Sequence, residues 1–115
     1  MSEAETPNAP SGEPPEADVR VFMRGVGSDR KFIVVNLGAA VAREVRFEVQ
    51  SQPGKNTPLV RSEHERTFPV ESLDPGDERA LSAIITPGTG IEFTGILTWV
   101  ETDGSSRETV THLAV

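Results

Sequence analysis

Two imidazoles, His64 and His112, are the only side chains in this sequence whose ordinary titration range suits general-base chemistry near neutral pH. They fall in different predicted elements. His64 stands between Glu63 and Glu65, and a histidine with two carboxylates is suitable ligand chemistry for a divalent metal. Adjacent residues of an extended chain alternate in direction, however, so these three cannot converge on one ion. A second set, Asp74, Asp77 and Glu78 around Pro75-Gly76, offers oxygen ligands for calcium. Its spacing is not that of an EF-hand loop, and local hydrogen bonding accounts for acidic residues at a Pro-Gly turn. Glu101 and Asp103, at the tip of a predicted hairpin, read the same way.

The sequence has no cysteine, which excludes disulfides and thiolate sites. It has no Gly-x-Ser-x-Gly elbow and no phosphate loop. Gly25-Val26-Gly27-Ser28 lacks the following Lys-Ser and helix that would supply charge and dipole to a phosphate. No residue is therefore assigned a catalytic role, no cofactor or metal is expected, and the chain is read as non-enzymatic.

The elements that would position any site are strands. Glu92 to Val115 reads as a hairpin around Asp103-Gly104, with Phe93, Leu97 and Trp99 alternating onto one face. A two-residue loop there pairs Leu97 with Val110 and Phe93 with Ala114, turning His112 inward. A three-residue loop pairs Gly95 with Leu113 and Phe93 with Val115, leaving His112 outside with Ile96 and Thr98, and is the preferred register. Upstream, Asp18 to Arg24 is a first, edge-like strand. Arg30 to Leu37 is apolar on both faces, with Phe32 and Val34 expected in the core. Glu44 to Ser51 alternates with Val45, Phe47 and Val49 inward. Gln52 to Thr67 is a charged excursion with at most one short edge strand. Phe68 to Leu73 returns to the core, Asp74 to Asp77 forms a type II turn, and Arg79 to Thr86 is a strand with Leu81, Ala83 and Ile85 on one face. About seven short strands and no helix predict an antiparallel β-sandwich over residues 18–115.

Residues 1–17 differ in kind. They hold four prolines and four glutamates with no basic residue, a composition that predicts a disordered acidic tail. Taking those glutamates away leaves fourteen acidic side chains against eleven basic ones in residues 18–115, a balance that does not favour nucleic-acid binding. No apolar run approaches a membrane span and no secretory leader follows Met1, so a cytoplasmic location with no membrane contact is expected.

Four patterns recur in order: Val34-x-Asn36-x-Gly38, Ala42-x-x-Val45-x-Phe47-x-Val49, Leu73-x-Pro75-Gly76-Asp77, and Trp99 before Asp103-Gly104. Together they resemble the seven-stranded immunoglobulin-like modules of the bacterial and archaeal CARDB type. That resemblance covers residues 18–115, implies an immunoglobulin-like sandwich and carries no functional residue with it. Modules of that type usually stand in tandem in large surface proteins, whereas this one is expected to stand alone. The expectation is an adaptor or accessory module that binds another protein, or else a self-associating subunit of a larger assembly such as a phage particle. Candidate contacts are Phe22 on the first strand, which is either an exposed anchor or packed under the tail or a loop, and Leu59 and Val60 in the excursion, which are either contacts or a short edge strand.

Overall fold

A computed structural model describes residues 15–115. Seven strands, β1 (Val19–Arg24), β2 (Lys31–Asn36), β3 (Ala42–Ser51), β4 (Val70–Leu73), β5 (Glu78–Ser82), β6 (Glu92–Val100) and β7 (Ser106–Ala114), surround one short helix, α1 (Arg61–Thr67). They form two antiparallel sheets in the orders β1-β2-β5 and β4-β3-β6-β7. The all-β sandwich expected from the alternating pattern is the fold of the protein.

Its core is a sheet-to-sheet aromatic stack. Phe32 of β2 meets Phe47 of β3 and Phe93 of β6 edge-on, with ring centroids 5.6 and 6.4 Å apart. Val19, Val34, Val45, Leu73, Leu81 and Leu97 close around them, all buried. β3 begins two residues earlier than its alternation suggests. The register slips between Arg43 and Arg46, where Glu44 takes a positive φ of 48°. That bulge inserts one residue, which turns both Ala42 and Val45 inward although they lie three positions apart.

The fold begins upstream of its expected boundary. The tail assignment falls mainly on residues 1–14, which lie outside the described residues. Glu16 and Ala17 are part of the sandwich, because Ala39 N–H donates to Glu16 O at 2.9 Å and Leu37 N–H to Asp18 O at 2.8 Å. Gly38 makes this approach possible: a Cβ there would stand 2.3 Å from Glu16 O and 2.5 Å from Asp18 N.

The excursion is also more ordered than expected, for residues 61–67 form α1. Seven residues are too few for a helix that must support itself, and no side chain caps its start. Tertiary contacts hold it instead, and local propensity does not report those. Among the described residues no helix is long and apolar enough to cross a membrane.

Candidate interaction surfaces

Most of the side chains with chemical potential have structural partners. His64 Nε2–H donates to the Phe47 carbonyl at 2.6 Å, and since a carbonyl can only accept, that nitrogen carries a proton. Glu63 turns the other way and accepts the Ser82 N–H at 2.5 Å, while Glu65 pairs with Arg61 at 3.1 Å. The His-carboxylate set therefore diverges. Asp77 reaches Arg79 at 3.8 Å and Glu78 reaches Arg24 at 3.6 Å, which disperses the acidic turn as well. No group of three or more potential metal ligands occurs among the described residues. Gly25 to Ser28 is simply the β1–β2 turn, closed by Asp29 N–H onto Val26 O at 3.0 Å.

Glu101 departs most from expectation. It is buried, and its carboxylate accepts the Trp99 indole N–H at 2.9 Å and the Ala17 N–H at 3.1 Å, with Arg107 at 3.9 Å. The sequence did carry the signal: positions 93, 95, 97 and 99 alternate inward, and 101 continues that parity. The hairpin register follows from the same turn. Glu101 pairs with Ser105 across a three-residue loop, Thr102 to Gly104, with Gly104 N–H on Glu101 O at 2.9 Å and Gly104 at φ 89°. The loop length is the one preferred from sequence, but the loop sits one residue earlier, so Phe93 faces Leu113 and Leu97 faces Thr109. His112 lies outside with Ile96 and Thr98, as that register required.

The excursion candidates turn out to be structural. Leu59 is half-buried against the core and bridges to Ala83, and Val60 is half-buried at the start of α1. Both are less exposed than Phe22. Together, residues 58–64 seal one side of the sandwich. Ile84 N–H donates to Pro58 O at 2.8 Å and Glu63 takes Ser82 N–H, which caps the C-terminal end of the outer edge of β5. His64 covers β3 two residues beyond its last pairing with β4, at Val45.

Phe22, by contrast, is exposed, at 51%. It stands on the outer face of the three-stranded sheet opposite Ile33, which is itself opposite Ala80. Ile33 is buried at 2% beneath the Arg24–Glu78 pair, which crosses the sheet above it. Val35 is half-buried one pair further along, and Ile84, 49% exposed, follows the end of β5. Arg20, Arg24 and Lys31 share this face, the two arginines paired with Asp18 and Glu78, giving an apolar centre with a rim of mixed charge. A groove of about 410 Å³ between β1 and β7 is lined by Glu16, Asp18, Arg20, Trp99 and Arg107. Along it Arg20 pairs with Asp18 and Arg107 with Glu16, while Glu108 and Thr109 line its β7 side.

No family model, curated protein or solved structure matches this chain. Its surfaces are the ground on which a function is assigned.

Proposed function

We propose that this protein is a non-enzymatic interaction module that docks another protein on the outer face of the β1-β2-β5 sheet, with Phe22 as the anchor. The observation that carries this reading is the exposure of Phe22, at 51%, on the same face as half-buried Val35 and a set of charged side chains. A large aromatic left in water beside further apolar area is the usual centre of a protein contact, and a charged rim sets orientation and partner choice. The rim pairs Arg20 with Asp18 and Arg24 with Glu78 and adds Lys31, which favours a partner surface of mixed charge around an apolar pocket.

The reading includes an immunoglobulin-like module of the CARDB type. It is supported by the way two of the motifs behind that resemblance interlock. Asn36 Nδ2–H donates to Leu73 O at 2.9 Å, and Gly76 N–H donates to Asn36 O at 2.8 Å, so Asn36-x-Gly38 and Leu73-x-Pro75-Gly76-Asp77 form one structural joint. A cytoplasmic site of action belongs to the same reading, with no disulfide called for.

The test is affinity capture from the native host with wild type and Phe22→Asp in parallel. The expected result is a protein retained by wild type and lost with Phe22→Asp, at an unchanged thermal midpoint. Identical capture by both variants would remove Phe22 from the contact.

A further inference from the structure

The two sides of this sandwich are treated differently. On one, residues 58–64 cap the end of β5 and reach β3 at the Phe47 carbonyl. On the other, β7 runs for nine residues as an outer strand, with no proline, no glycine and an unbroken register against β6 from Ala114 to Ser106. Long regular edges of this kind are what proteins normally blunt.

From this edge we infer that β7 pairs antiparallel with β7 of a second copy, about a two-fold axis at Val110, to make a continuous eight-stranded sheet. The hydrogen-bond parity sets the first constraint. Val115 N–H donates to Ile91 O at 2.9 Å and Glu101 N–H to Ser105 O at 2.8 Å, so the odd residues of β7 bond to β6. The alternation of an antiparallel ladder then leaves the N–H and C=O of Ser106, Glu108, Val110, His112 and Ala114 directed outward. A two-fold at Val110 pairs each of these with another of the same set, and the strand, Ser106–Ala114, overlaps itself along its whole length.

Side chains supply the second constraint. In this register Glu108 faces His112 of the other copy, twice by symmetry, and Val110 faces Val110. Val110 is 60% exposed and stands beside Ile96, so the two copies join an apolar strip across the axis. Centring on Glu108 would oppose two carboxylates, and centring on His112 would leave Glu108 beyond the partner strand's end. The alternative occupant within this chain, the segment before Glu16, has prolines at 7, 10, 14 and 15 and so lacks the N–H donors a ladder needs.

Sedimentation equilibrium on the full chain, with a crosslinking arm, tests this. Wild type is expected to show a concentration-dependent dimer. Val110→Cys, in a chain that has no other cysteine, is expected to oxidise to a covalent dimer, because facing Cα atoms of such a pair lie about 5.5 Å apart; Gln50→Cys on the same sheet face is expected not to. His112→Glu should weaken the dimer roughly tenfold or more by opposing two like charges, and Glu108→Lys with His112→Glu should restore it. Circular dichroism and thermal midpoints verify that each variant folds. Phe22→Asp should leave the dimer intact, which separates this contact from the sheet face proposed above. A wild type that stays monomeric at millimolar concentration, or a dimer indifferent to His112→Glu and unlinked by Val110→Cys, overturns the proposal.

Discussion

At the indole of Trp99 the protein has placed a carboxylate where alternation alone would put an apolar side chain. Glu101 answers two buried donors, and truncating it leaves both without an acceptor. Glu101→Ala is expected to lower unfolding free energy by roughly 2–4 kcal/mol in urea titration, with a change in the emission of the one tryptophan. Asn36 is a comparable pin. Its amide Oδ1 accepts from Asp18 N–H at 3.1 Å and Gly38 N–H at 2.9 Å, and its Nδ2 donates to Ala40 O at 2.8 Å and Leu73 O at 2.9 Å. Asn36→Ala should therefore cost on the order of 3 kcal/mol, and Asn36→Asp no less, since a carboxylate would face two carbonyls. Asp103 adds a pH dependence. The Ser105 hydroxyl and N–H donate to its carboxylate at 2.6 and 2.9 Å and hold its pKa below the usual aspartate value. A depressed folded pKa means that the hairpin tip is fully supported above the ordinary aspartate range, about pH 4. That support is lost as pH falls through the lower folded value, so amide shifts of Ser105 followed by NMR should titrate there and be flat in Asp103→Asn.

The element that most changes the picture is the excursion between β3 and β4. Its charges make it look like solvated loop, yet it covers strand edges with Glu63, His64 and Pro58 O. Hydrogen exchange should show this directly: the Ser82 and Ile84 amides, although on an edge strand, are expected to be protected, whereas Val21 and Met23 on the open edge of β1 exchange fast. Glu63→Ala should release Ser82 and leave Ile84 protected. Arg61 and Glu65 stand at helical i,i+4 spacing, the one local hint of α1. No local signal could have said that the helix lies across two sheets.

For the molecule as a whole, the two apolar candidates on opposite sides should separate cleanly. Phe22→Asp is expected to change stability by no more than about 0.5 kcal/mol, as an exposed position does. Leu59→Asp is expected to lose roughly 2 kcal/mol or more, because it puts an unpaired charge against the core. Thermal or urea unfolding of the two variants side by side measures the contrast. The sandwich is thus capped at points along one flank, and the contacts proposed above lie on the β7 edge and on the outer face of the β1-β2-β5 sheet.

Period-two alternation was enough to determine that this is an all-β sandwich and to place Phe32, Val34, Val45, Phe47, Leu81, Phe93, Leu97 and Trp99 inside it, because side-chain direction in a strand depends on the chain alone. The Pro75-Gly76 turn and the length of the hairpin loop, though not its position, were legible for the same reason, as local backbone preferences. Tertiary structure decided the rest. Whether Phe22 is covered, what Leu59 and His64 touch, where residues 16–18 pair and which strand edge stays open all depend on segments distant in sequence, and exposure is set by what the rest of the chain leaves uncovered.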